Sequence, residues 1–156
     1  MRRKDREIHD INDKLALLEK CKVCRLGLSL HDEPYIVPLN FGYEFADNAL
    51  TLYFHSAATG KKIDMLRANP SACFEVDAEH ELVPGPEACK YSFRYASLIG
   101  SGTVSFIDDA EEKRNALNAI MQHQTNVNKS FNFNDDEIAR VLIFKLSISE
   151  FSGKRH

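Results

Sequence analysis

The chain has 156 residues, and its 20 Lys and Arg against 23 Asp and Glu give a formal net charge of −3 with His neutral. The length fits one domain, and the 44% hydrophobic and 28% charged fractions support a packed core, which argues against disorder, collagen and coiled coil. The near-neutral charge and the lack of any apolar run near the roughly 20 residues of a membrane helix argue against nucleic-acid and membrane partners. We expect a single cytoplasmic domain over residues 1–156.

The first third of the chain predicts one helix followed by hairpin strands. Ile11, Leu15 and Leu18 recur at helical spacing, which indicates a helix over residues 10–20. Beyond it, stretches rich in apolar residues are separated by polar, turn-forming segments, as is typical of antiparallel strands. These strands are expected over residues 22–30, 35–42 and 50–55.

The rest of the chain predicts further strands with helices between them. The segment 78–90 contains Pro and Gly and is expected to be a long loop with a functional role. Gly100 and Gly102 indicate a bulge or a close backbone approach within a long strand. Helices are expected over residues 59–67, 108–124 and 135–140, and strands over residues 71–76, 91–107 and 141–148.

The order of these elements indicates the fold class. No repeat or linker divides the chain. About six strands connected as hairpins, with three or four helices outside them, are typical of a closed or partly closed antiparallel barrel. We therefore expect a mainly β domain with peripheral helices.

Four cysteines are compatible with three interpretations. Cys21 and Cys24 have a C-x-x-C spacing, which fits half of a zinc site or a redox pair. A zinc site needs a second close pair, which Cys73 and Cys89 do not form, and Cys24 leads into a strand and not into the helix start that would activate its thiol. We expect thiols without chemistry, buried or at a sheet edge.

The segment 55–62 carries the most informative chemistry. It joins a strand to a helix and contains a serine hydroxyl, a glycine and the two cations Lys61 and Lys62. Backbone donors, the helix dipole and neutralising charge are what a phosphate group needs. Ile63 stands where a P-loop requires Ser or Thr, so the segment is not a P-loop. A capped surface helix with solvated lysines explains the same pattern.

Other reaction classes find little support in the sequence. No G-x-S-x-G or H-E-x-x-H motif occurs, which argues against the common hydrolases. The six histidines show no metal-ligand spacing. His55, at the end of an expected strand, is the histidine best placed to reach an anion bound at residues 55–62.

Seven segments, taken in order along nearly the whole chain, resemble pyridoxamine 5′-phosphate oxidase-related flavoproteins of the nitroimidazole-resistance branch. Two of them are LYFHS at residues 52–56 and GKKID at residues 60–64. The others are residues 1–8, 24–28, 34–44, 83–90 and 152–156. The resemblance implies a six-stranded antiparallel split β-barrel that binds FMN, with FAD as an alternative, at the interface of a homodimer.

The resemblance also implies which residues hold the cofactor. Residues 37–40 would lie against the flavin ring, Lys61 and Lys62 would bind the phosphate, and residues 94–97 would cross the dimer interface. His55 matches a histidine implicated in the reductive chemistry of the branch and is the catalytic candidate. The implied cofactor-binding residues are Val37, Pro38, Leu39, Asn40, His55, Ser56, Lys61, Lys62, Arg94, Tyr95 and Ser97. Phe41 or Tyr43 would stack near the ring.

Three functions remain open. The first is an FMN-dependent oxidoreductase that reduces small electron-poor substrates such as nitroaromatics. The second is a protein that binds flavin or haem without turning over a substrate, and the third is a barrel that has lost its ligand. Pyridoxamine phosphate oxidation is not expected, because the chain lacks Trp and its end, residues 151–156, lacks the Arg-rich and aromatic segment of the true oxidases.

Overall fold

The computed structural model describes residues 3–156, which form eight strands and four α-helices. Met1 and Arg2, the start of the segment 1–8, lie outside them. The strands are β1 (Glu7–Ile8), β2 (Val23–Leu30), β3 (Glu33–Asn40), β4 (Gly42–Ala46), β5 (Ala49–Ser56), β6 (Ser71–Val83), β7 (Ser92–Ile107) and β8 (Leu142–Arg155). The helices are α1 (Ile11–Lys20), α2 (Lys61–Ala68), α3 (Ala110–Thr125) and α4 (Asp135–Arg140).

The strands form one antiparallel sheet that curls round on itself. Its order is β3-β2-β6-β7-β8-β5-β4, and β1 pairs with β8. The two ends of this order, β3 and β4, are separated in the chain by Phe41 alone, so a single segment links both edges of the sheet. The predicted mainly β antiparallel barrel with peripheral helices is confirmed.

Apolar side chains of neighbouring strands fill the barrel. Phe54 and Phe144 are fully buried and stack with ring centroids 5.1 Å apart, and Phe74 is also fully buried. Burying each such side chain contributes about 1.5–3 kcal/mol. On the outside, α1 and α2 cover the barrel with Leu17, Leu18, Ile63 and Leu66.

The long helix α3 lies against β4 and β5. A Cβ atom on Gly42 would lie 2.3 Å from the backbone nitrogen of Ile120, so only glycine allows this approach. The end of α3 is tied to the barrel by His123, which is buried with its ring nitrogens 2.8 Å from the carbonyl oxygen of Phe41 and 3.3 Å from that of Leu18. No helix in the described range is long and apolar enough to span a bilayer.

Several boundaries differ from those expected. The prediction of a loop over residues 78–90 is wrong in its first part, because β6 continues to Val83 through a bulge between Ala78 and Glu81. The strands β1 and β4 were not expected, and β8 continues to Arg155. The predicted bulge at the paired glycines is confirmed, since the register of β7 and β8 shifts between Ser101 and Gly102.

Candidate functional site

The start of α2 is open to a ligand. Gly60 is the N-cap residue with φ +120°, it supplies no side-chain cap, and nothing lies within 4 Å of the position its Cβ would take. Of the first backbone N–H groups, those of Ile63 and Asp64 bond to the carbonyl oxygen of Gly60. The N–H groups that precede them, with the dipole of α2, are suited to an anion.

Lys61 reaches from this helix start to the beginning of β3. Its Nζ lies 2.5 Å from Oε1 of Glu33 and 5.0 Å from the ring centroid of Tyr35. The hydrogen bond from Lys61 lowers the pKa of the Glu33 carboxyl group. Both side chains are more than half exposed, so the pair contributes little to stability and a phosphate can replace the carboxylate. The sequence did not indicate Glu33 and Tyr35, because only the fold brings them to Lys61.

The end of β5 brings two further predicted residues to the same end of the barrel. His55 is exposed and lies opposite Ile143 of β8, whereas Ser56 lies opposite Leu142 and is half-buried. The hydroxyl oxygen of Ser56 is itself buried and meets no hydrogen-bond partner within residues 3–156. An unpartnered buried hydroxyl costs free energy unless a bound group satisfies it, so this position fits a polar ligand.

Residues 37–40 lie on β3, an edge strand of the sheet. β3 pairs with β2 on one side, and an edge strand leaves backbone groups on its other side free for a ligand. Asn40 uses its amide nitrogen within the fold, donating to the carbonyl oxygen of Lys22 and to Oε1 of Gln124, both at 3.0 Å. Backbone groups of β3 are therefore better placed than the Asn40 amide N–H groups to meet a flat ring.

The residues predicted to cross the dimer interface lie at the opposite end of the barrel from the start of α2. Arg94 donates to Glu81 at 3.0 Å, and the ring of Tyr95 lies 5.3 Å from Nζ of Lys154. His55 of β5 pairs with Ile143 of β8, and Ile143 pairs with Ile107 of β7. Ser97 precedes Ile107 by ten residues along β7. Ten strand residues span about 33 Å. One chain therefore does not bring Arg94, Tyr95 and Ser97 to the start of α2.

A groove of about 850 Å³ crosses the outer face of the sheet beside β3. Its floor is one row of mostly small residues, since Gly27, Cys73 and Ser101 are direct neighbours across β2, β6 and β7. Ile36, the next residue in the row, is 68% exposed. The groove is lined by Tyr35 but by none of the predicted site residues.

The two aromatic candidates near the ring have structural roles. Phe41 is fully buried with its ring 4.5 Å from that of His123, so the suggestion that it stacks on a ligand is wrong. Tyr43 is half-buried, packs edge-on against His123 and donates to Glu19 at 2.9 Å. Burial raises the pKa of Tyr43 to about 12, which keeps its hydroxyl a donor.

The C-x-x-C cysteines should be chemically inert. Cys21 and Cys24 are both buried, and burial raises their pKa values to about 11 and about 12. The reactive form of a cysteine is the thiolate. We expect iodoacetamide at pH 8 to leave both unmodified in the folded protein and to modify the exposed Cys89, as measured by peptide mass spectrometry. Modification of Cys24 at the rate of Cys89 would contradict this burial.

Comparisons with known proteins agree with the architecture. The pyridoxamine 5′-phosphate oxidase family model matches residues 10–155. A structure described as a candidate 5-nitroimidazole antibiotic resistance protein from Bacteroides thetaiotaomicron is 37% identical, with a TM-score of 0.81 over 96% of this chain and 86% of that one. No protein in the curated set matches the sequence significantly.

Two more distant structures share the fold. The FAD and haem binding protein from Mycobacterium smegmatis is 22% identical, with a TM-score of 0.81 over 96% of this chain and 73% of its own. A flavocytochrome from Azotobacter vinelandii is 20% identical, with a TM-score of 0.79 over 100% of this chain and 72% of its own. At these identities the likeness concerns the fold alone. The family match and the 37% identical structure together establish that the chain belongs to the pyridoxamine 5′-phosphate oxidase family.

Proposed function

We propose that the protein is a flavin-dependent oxidoreductase that binds FMN and reduces small electron-poor molecules such as nitroaromatics. The observation that carries the proposal is the open start of α2, with Lys61 and Lys62 in its first turn, together with the buried hydroxyl of Ser56, which lies four residues before Gly60 and has no hydrogen-bond partner within residues 3–156. The 37% identity to a candidate 5-nitroimidazole resistance protein supports this substrate class.

The residues of this chain have distinct roles in the proposal. The start of α2 with Lys61 and Lys62 holds the phosphate through charge-assisted hydrogen bonds. The backbone of residues 37–40 on β3 meets the polar edge of the ring. The flavin supplies the electrons, and His55, exposed at the end of β5, orients the substrate or donates a proton to it.

The proposal includes a symmetric homodimer. Arg94, Tyr95 and Ser97 are far from the start of α2 in their own chain, so a second copy is the means by which they reach a shared cofactor. A two-fold axis makes two equivalent sites, each built from both subunits.

A visible absorbance spectrum of the purified protein, followed by identification of the molecule released on denaturation, tests the proposal. We expect a flavin spectrum and released FMN. Released FAD would correct the cofactor and leave the class of protein unchanged. A colourless protein that takes up no added FMN would contradict the proposal.

A second candidate function is binding of flavin or haem without turnover. Structures of the same fold include proteins described as binding FAD and haem and as a flavocytochrome. A haem spectrum, or a tightly bound flavin that no nicotinamide donor reduces and no acceptor reoxidises, would favour this candidate over the oxidoreductase.

We expect the His55→Gln protein to keep its flavin and to lose turnover. Glutamine does not replace the imidazole that orients the substrate or donates a proton to it, and a positioned acid or base of this kind typically contributes about 10²–10⁴-fold. Steady-state kinetics per bound flavin measures the effect, with His9→Gln, an exposed histidine on a different segment, as the control. A flavin-loaded His55→Gln protein with unchanged turnover would remove His55 from the chemistry.

A further inference from the structure

An aspartate and a histidine form a close pair on the outer face of the sheet. Nε2 of His80 lies 2.6 Å from Oδ2 of Asp77. In a regular strand these residues would point to opposite faces, because they are three positions apart. The bulge in β6 and the left-handed conformation of Glu79, with φ +62°, return His80 to the side of Asp77.

Two cations hold this bulge in place. A left-handed conformation is uncommon for a residue other than glycine and costs of the order of 1 kcal/mol or more. The Glu79 carboxylate lies 2.6 Å from Nζ of Lys20 at the end of α1 and 3.0 Å from Nε of Arg155 at the end of β8. Two other elements, α1 and β8, therefore contact the one residue of β6 that sets the direction of His80.

The pair has the geometry of an oriented acid or base. Arg25 of β2 also bonds to Asp77, through the other carboxylate oxygen, so the aspartate is fixed on both sides. Because Nε2 of His80 is committed to Asp77, Nδ1 is the nitrogen left for a ligand. A histidine fixed by a carboxylate, with its other nitrogen accessible, is the arrangement used for general acid–base catalysis. The His80 side chain is 46% exposed.

Building on the proposed function, we propose that His80 of one subunit, positioned by Asp77, donates a proton to the substrate at the flavin site of the other subunit. Two of the residues expected to cross the dimer interface lie next to this part of β6 in the sheet. Ser97 lies directly opposite Asp77 in the β6–β7 register, and Arg94 lies opposite Glu81. The ring of the exposed Phe93 is 6.0 Å from that of His80 and offers a surface for an aromatic ligand.

The proposed step balances in electrons and protons. Reduction of a nitro group to a nitroso group consumes two electrons and two protons and releases water. The reduced flavin would supply the electrons and one proton, and the second proton comes from Nδ1 of the His80 imidazolium, which regains it from solvent. On this proposal His55 orients the substrate from the subunit that holds the phosphate, and His80 donates the proton from the other subunit.

Mixed dimers test the transfer between subunits. A Lys61→Ala/Lys62→Ala subunit lacks the phosphate site but keeps His80. A His80→Gln subunit keeps the phosphate site but lacks His80. Each variant alone should be at least about 10²-fold less active than the wild type. Random pairing on co-expression makes half of the dimers mixed, and each mixed dimer contains one intact composite site out of two. The mixture should therefore recover about a quarter of wild-type activity. If His80 acted within its own chain, activity would not recover, which would overturn the proposal.

Readouts other than activity separate this proposal from the proposed function. The His80→Gln protein should bind as much flavin as the wild type, and a wild type without flavin would instead overturn the proposed function itself. Ring ¹⁵N shifts near neutral pH should show the proton of neutral His80 on Nε2, and Asp77→Asn should change this signature while the fold and flavin content persist. A neutral His80 ring protonated on Nδ1 in place of Nε2 in the wild type would contradict the positioning by Asp77. His9→Gln serves as the matched control.

Discussion

The Lys61→Ala/Lys62→Ala protein is expected to bind FMN about 10²- to 10⁴-fold more weakly than the wild type and to be purified without a flavin spectrum. Each lysine contributes a hydrogen bond to a charged group, worth about 1.5–3 kcal/mol. Two such bonds correspond to this range of affinity at about 1.4 kcal/mol per tenfold. Titration of the apoprotein with FMN, followed by flavin fluorescence, measures the loss.

Two control variants make the result specific to the phosphate site. Lys129→Ala removes a cation whose Nζ packs 5.0 Å from the ring of Phe131, and it should leave FMN affinity unchanged. Glu33→Gln removes the carboxylate that pairs with Lys61, so FMN affinity should stay the same or increase. If the double lysine variant bound FMN as tightly as the wild type, the phosphate would be held elsewhere and the proposed site would be wrong.

Much of the barrel was predictable because its strands alternate and its turns are polar. The helix predicted over residues 10–20 is α1, with Asp10 capping the backbone N–H of Asn12. Strand β4, which the sequence did not predict, follows β3 after Phe41 alone, so no turn-forming segment separates the two strands in the sequence. The outer part of β6 has the composition of a loop because its polar side chains face solvent. That part pairs only with β7, and local composition does not reveal such a partner.

The candidate site was predictable where its residues are close in sequence. Gly60, Lys61 and Lys62 indicate the proposed phosphate site because they lie together at one helix start. The pairing of Lys61 with Glu33 depends on the barrel, which brings together residues 28 positions apart. The contact between Asp77 and His80 depends on the positive φ of Glu79, which no residue type at that position announces. The sequence therefore indicates functional residues that are neighbours along the chain, whereas only the fold shows which other residues contact them.

The second large effect concerns the close approach of α3 to β4. We expect Gly42→Ala to lower the free energy of unfolding by about 3 kcal/mol, at the upper end of the usual cost of overpacking. The added Cβ would lie 2.3 Å from the nitrogen of Ile120 and 2.4 Å from the carbonyl carbon of Ala119. These are backbone atoms of a helix and cannot rotate away. Urea denaturation of the wild type and the variant measures the difference.

Gly27→Ala is the matched control, since its added Cβ would meet the Sγ atom of Cys73 at 2.6 Å, and a side chain can turn aside. Its cost should be clearly smaller, and equal costs for the two variants would contradict the argument. The Gly42 variant should also weaken FMN binding, because α3 carries Gln124, which accepts a hydrogen bond from Asn40 at the end of β3. A displaced α3 would release that end of the strand, so stability and cofactor affinity should fall together in Gly42→Ala.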